Sequence, residues 1–136
     1  MIIIFTISCQ ENIRASYELK TKHLITEIPL PSDVRENQIH DFVSDGNGAL
    51  FISTEGFLWI YVGNTWHKIY TDDLLDITWS DTMGLYASNE MEVFLLEHDP
   101  DNKFILKKTF HNPRTDKPIQ DIFFFQDNLI LEFRER

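Results

Sequence analysis

The chain has 136 residues, 43% hydrophobic and 13% aromatic, which suits one domain with a sizeable core and argues against disorder. Its formal charge of −10, from 22 acidic and 12 basic residues, opposes a nucleic-acid or anionic membrane partner, because affinity for phosphate backbones comes largely from Lys and Arg releasing counterions. A single cysteine leaves neither an internal disulfide nor a thiolate-rich metal site.

The chain opens on an apolar run, Met1-Ile2-Ile3-Ile4-Phe5-Thr6-Ile7-Ser8, that ends at Cys9 and passes at once into polar Gln10-Glu11-Asn12. The run is too short for a transmembrane span, which needs about 20 residues. Ser8-Cys9 resembles the junction of a bacterial lipoprotein signal peptide, which implies lipidation of Cys9, a lipid anchor and a periplasmic or outer-membrane-anchored location. Residues 1–16 are then leader and tether, and 17–136 the folded domain. The other reading is an N-terminal strand with a buried thiol, in a cytoplasmic chain. Next, Tyr17–Lys20 and His23–Ile28 alternate in steps of two, as a half-buried strand does, until Pro29 and Pro31 end the pattern.

From Ile39 to Tyr70 four short runs, Ile39–Val43, Ala49–Ser53, Phe57–Val62 and Trp66–Tyr70, are separated by Asp45-Gly46-Asn47-Gly48, Thr54-Glu55-Gly56 and Gly63-Asn64-Thr65. Short runs rich in β-branched and aromatic residues, bounded by Gly and Asn, predict a four-stranded antiparallel meander. The second and third runs are almost continuously apolar, which predicts cover on both faces by neighbouring sheets. The unit then repeats. Leu74–Trp79 superposes on Ile39–Ser44 with Asp76 beneath Asp41 at 35 residues, and runs at Leu85–Ser88, Glu92–Leu96 and Phe104–Phe110 follow. Ile119–Phe125 places Asp121 beneath Asp76 at 45 residues, and Leu129–Phe133 gives one more run. The units are 39–72, 73–112 and a partial 119–136. The fold class is therefore all-β, with consecutive four-stranded meanders in a propeller-like partial array of about two and a half blades. A bent two-sheet sandwich is the alternative.

Asp45-Gly46-Asn47-Gly48-Ala49-Leu50-Phe51-Ile52-Ser53-Thr54-Glu55-Gly56 resembles the two-component regulator propeller repeat, with Phe51 where that repeat has Trp and Ser53 where it has Gly. Glu27-Ile28-Pro29-Leu30-Pro31 followed by an Asp-Gly-Asn turn is similar to the streptogramin lyase repeat. The first resemblance implies a sensor or binding domain, and the second implies an enzyme using a histidine and a divalent ion. None of His23, His40, His67, His98 and His111 aligns with that catalytic histidine.

The recurring Asp41, Asp76 and Asp121 stand where the innermost strand of a blade begins, near a central channel. There a ring of carboxylates holds a Ca²⁺ or Mg²⁺ ion, or each Asp accepts backbone N–H bonds from the preceding turn. His40 beside Asp41 is the ligand-binding candidate. Asp45–Gly48 and Asp99–Asn102 carry oxygen ligands at alternating positions but lack the later Glu of a helix–loop–helix calcium site, so both read as hairpin turns. Trp59, Trp66, Trp79 and Phe123-Phe124-Phe125 serve either as packing between sheets or as a platform for sugars. No G-x-S-x-G elbow or phosphate-binding glycine loop occurs.

The expectation is a non-enzymatic propeller-type sensor or binding domain outside the cytoplasm, part of a longer propeller, recognising a protein, small molecule or carbohydrate. A lyase-like metal-assisted enzyme and an intracellular protein-interaction adaptor are the alternatives. Leu129–Phe133 at an unpaired edge predicts self-association or completion by further blades.

Overall fold

The computed structural model describes residues 2–8, 22–71 and 73–135 and separates the chain into two compact units, Met1–Glu36 and Asn37–Arg136. In the first unit β1 (Ile2–Ser8) pairs antiparallel with β2 (Lys22–Ile28), in register from Ile2 opposite Ile28 to Ser8 opposite Lys22. Pro29 ends β2, as a residue lacking the donor N–H must. Cys9, and the run Tyr17–Lys20, lie outside the described residues.

The second unit is built of meanders. β3 (Ile39–Ser44), β4 (Leu50–Thr54), β5 (Phe57–Val62) and β6 (Thr65–Tyr70) form one sheet in chain order. β7 (Asp76–Ser80), β8 (Gly84–Ser88), β9 (Glu92–His98) and β10 (Phe104–His111) form the next. β11 (Ile119–Phe125) and β12 (Asn128–Phe133) make a two-stranded third. There is no α-helix among the described residues. The first strands of successive sheets are neighbours, β3 beside β7 and β7 beside β11. The architecture is thus an all-β, propeller-like partial array of consecutive antiparallel meanders.

Turn chemistry sets these registers. Gly63 and Asn64 both have positive φ, 58° and 62°, the conformation that matches the twist of a two-residue hairpin between β5 and β6. The turn between β11 and β12 takes the same left-handed pair with Gln126 and Asp127, φ 47° and 60°, although neither is glycine.

The unbroken apolar runs are covered on both faces. All five residues of β4 are buried, and so are Leu58, Trp59 and Ile60 of β5. Phe51, Leu58 and Ile60 from the first sheet meet Ile77, Leu85 and Ala87 from the second in one cluster, joined by Leu74 from the connection between the sheets. Val93, Ile119 and Ile122, flanked by Tyr86, Leu129 and Leu131, form the corresponding cluster between the second sheet and the third. Each fully buried aliphatic or aromatic side chain contributes about 1.5–3 kcal/mol. The sheets are held together mainly by these two layers.

Candidate functional site

Asp41, Asp76 and Asp121 occupy equivalent places at the starts of β3, β7 and β11. In β3 and β11 the register shifts immediately before the aspartate, between Ile39 and Asp41 and between Ile119 and Asp121. Such a bulge turns the following side chain out of the regular pleat. The carboxylates then reach forward to the next sheet. Asp41 Oδ2 accepts the backbone N–H of Ile77 at 3.0 Å, and Asp76 Oδ2 accepts that of Ile122 at 2.6 Å. In each case the donor is the residue directly after the next aspartate. The sequence reading placed these bonds in the preceding turn; the structure places them one sheet further along.

Burial pushes the Asp76 carboxyl up to about 8, with hydrogen bonds to Asp121 and Asp41 and the Asp121 charge acting in the same direction and the Ile122 N–H opposing them. At neutral pH Asp76 is therefore mostly protonated, and its O–H bridges carboxylates that would otherwise repel. Beside this column, His40 Nδ1 lies 3.0 Å from the Leu74 carbonyl. A carbonyl has no proton to give, so Nδ1–H is the donor and the ring ties β3 to the connection before β7. Opposite Asp41 and Asp76 in the register stand Ser53 and Ser88, both buried, and Ser53 Oγ donates to the Asp41 carbonyl at 3.4 Å. The chemistry available here is proton sharing and backbone capture.

The two loops with alternating oxygens are hairpin turns. Asp45 Oδ1 accepts the N–H groups of Asn47 at 2.7 Å and Ala49 at 2.9 Å, and Asp99 Oδ1 accepts that of Lys103 at 2.8 Å. In both turns an aspartate holds the amide four residues on.

At the other ends of the inner strands, the first two four-stranded sheets part to leave a cleft of about 530 Å³. Phe51, Ile60, Trp79, Leu85, Leu96 and Phe104 line it, with the Phe51 and Trp79 rings stacked at 5.7 Å. His67 and His98 flank the Phe104 ring, with centroids 5.4 and 4.4 Å away, and Asp45 and Asn102 stand at the same cleft. Apolar walls with a few convergent polar groups are what small-molecule sites present. Sequence reasoning weighed these histidines against the catalytic histidine of the lyase repeat, and their separation along the chain gave no signal that they share a cleft.

No family model, curated protein or solved structure matches the chain. The fold and the cleft therefore carry the functional reading by themselves. Among the described residues no group of three or more His, Cys, Asp or Glu side chains is placed to hold a metal ion, and no helix is long and apolar enough to cross a membrane. Of the aromatics weighed as a platform, Trp59 is buried with its Nε1–H donating to Thr54 Oγ1 at 3.2 Å, and Trp79 stacks on Phe51 in the cleft wall. Phe123 and Phe125, by contrast, are 43% and 61% exposed.

Proposed function

We propose that the chain is a non-enzymatic recognition domain whose ligand enters the cleft between the sheets β3–β6 and β7–β10. The observation that carries this reading is the composition of the cleft walls, in which stacked Phe51 and Trp79 stand opposite the imidazoles around Phe104. The arrangement suits a small aromatic or aliphatic molecule, or a protruding side chain of a protein, bearing a polar group that meets His67 or His98. The test is titration with the neutral apolar dye Nile red. Saturable emission enhancement by the wild-type chain, weakened about tenfold by Ala49→Phe, which fills the cleft wall, supports the reading. Enhancement that does not saturate, or that Ala49→Phe leaves unchanged, removes it.

A metal-assisted lyase-like activity is the second reading, motivated by the hydrogen bonds that join Asp76 to Asp121 and Asp41, although no three such side chains among the described residues are placed around one point. It requires Ca²⁺ or Mg²⁺ to displace the shared proton of Asp76. Titration calorimetry with either ion, on the wild type and on Asp76→Asn, decides it: no heat from the wild type ends the metal reading and leaves the cleft untouched.

The pairing of β1 with β2 supports a strand over residues 2–8, where a lipoprotein leader ending at Cys9 is the other reading. Intact mass of the chain made in a bacterium separates them, because a leader is lost up to Ser8 and leaves a lipid adduct on Cys9.

A further inference from the structure

The turns at the cleft end of the two four-stranded sheets set its charge. Asp45 lies in the β3–β4 turn, Asp81 in the β7–β8 turn, and Asp99 and Asp101 in the β9–β10 turn, while Lys103, beside Phe104, is the one cation that these turns supply. Of the described residues that line the cleft, with its histidines neutral, Asp45 alone carries a formal charge, and no lysine or arginine stands with it. The whole chain carries a formal charge of −10, so the field around the cleft attracts cations and repels anions.

Asp45 is held in place by its own turn. Its Oδ1 accepts the Asn47 and Ala49 N–H groups, and its N–H donates to the Ala49 carbonyl at 3.2 Å, closing the loop. A carboxylate has two oxygens, and both amides fall on one of them, so Oδ2 keeps its acceptor capacity. On the other sheet Asn102 is fixed as firmly, with φ 60° and its N–H donated to the Asp99 carbonyl at 2.9 Å. The side-chain carbonyl of Asn102 and the acceptor nitrogen that a neutral imidazole offers at His67 and at His98 add further lone pairs. A positive group with N–H donors finds acceptors here, whereas an anion meets the Asp45 carboxylate.

The aromatic walls favour the same sign. The face of an aromatic ring is the negative side of its quadrupole, so a cation within about 6 Å of the centroid is attracted to it. Phe51, Trp79 and Phe104 all line the cleft. Trp79 also donates its Nε1–H to Asp81 Oδ1 at 3.0 Å, and this bond to a carboxylate pushes electron density into the indole and makes its face more negative.

Resting on the cleft as the binding site, we propose that its ligand is a small organic cation, a primary ammonium joined by a short chain to an aromatic or aliphatic body. The body lies against the stacked Phe51 and Trp79, and the ammonium turns its N–H donors to Asp45, Asn102 and the imidazoles. The cleft volume of about 530 Å³ falls within the roughly 300–1,000 Å³ of small-molecule sites, which fits a free molecule of this kind.

Displacement of Nile red from the full chain by indoles of one shape and different charge tests it. The probes are tryptamine, an ammonium, tryptophol, its neutral hydroxyl counterpart, and indole-3-propionate, a carboxylate. On the wild type tryptamine displaces the dye at about tenfold lower concentration than tryptophol, the effect of one partly desolvated cation contact, and indole-3-propionate needs more than either. Asp45→Asn removes the charge while its Oδ1 still accepts the Asn47 and Ala49 amides, and it brings tryptamine and tryptophol to the same concentration. Tryptamine no better than tryptophol, on a wild type that binds Nile red saturably and loses it in Ala49→Phe, overturns the ammonium ligand and leaves the cleft as the binding site. A dye signal that does not saturate removes both. A tryptamine advantage that Asp45→Asn leaves at full width also overturns the ammonium ligand.

Discussion

The Asp76 carboxyl oxygen Oδ2 accepts the Ile122 N–H at 2.6 Å, one sheet beyond the place where Asp41 accepts the Ile77 N–H at 3.0 Å. The two bonds are the same device used twice, and they fasten the inner strands where side-chain packing gives way to backbone. Removing one leaves a half-buried amide without its acceptor.

Asp41→Ala is therefore expected to lower stability by about 1–3 kcal/mol, the cost of stranding a buried donor. Asp41→Asn, whose side-chain oxygen still accepts, should lose much less. Urea denaturation of the three proteins checks the order, and an alanine variant as stable as wild type would show that the bond contributes nothing.

Asp76 makes stability fall as pH rises. Its folded value of about 8 lies above the ordinary 3.8, so between those values the folded chain keeps a proton that the unfolded chain has released. Its contribution is complete below about pH 4 and fades until the pH passes 8. Asp76→Asn, neutral at every pH, should flatten that part of the profile and gain on the wild type as the pH approaches 8. Thermal melting at intervals from pH 5 to 9 measures it, and parallel profiles for the two proteins would exclude Asp76 as the source.

The hairpin joining β11 to β12 holds Gln126 at φ 47°, in the left-handed region that a branched or long side chain adopts at a cost. Gln126→Asn should raise stability by about 0.5–1 kcal/mol, because asparagine tolerates that region through its short side chain. Asp127 is best left in place, since its carboxylate accepts the Thr82 hydroxyl at 2.8 Å and joins the third sheet to the second. A midpoint unchanged or lowered in Gln126→Asn would show that the turn carries no strain to relieve.

The meanders were legible because their punctuation is local. Gly63-Asn64 and Asp45–Gly48 mark turns whose geometry is settled within four residues, and β11 runs from Ile119 to Phe125 as its apolar letters do. Leu74 read as the start of a strand, but β7 begins at Asp76, and Leu74 is apolar because it is fully buried in the connection. The recurrence of Asp41, Asp76 and Asp121 was visible, whereas their partners were not. Each partner is a backbone amide that any residue supplies, so nothing in the letters of Ile77 or Ile122 announces it. The cleft was hidden for a related reason. His67, His98 and Phe104 come from three strands, and only the pairing of those strands and the stacking of the two sheets brings the rings together.

The forward reach of the aspartates also gives synthesis a direction. Most contacts within a sheet are between strands next in sequence, so β3–β6 can assemble as soon as its last strand has left the ribosome. Asp41, however, waits for an amide 36 residues downstream, and Asp76 for one 46 residues downstream. Both four-stranded sheets are finished by the opening residues of the one that follows, so the nascent chain is locked in sequence, from its first meander towards its last.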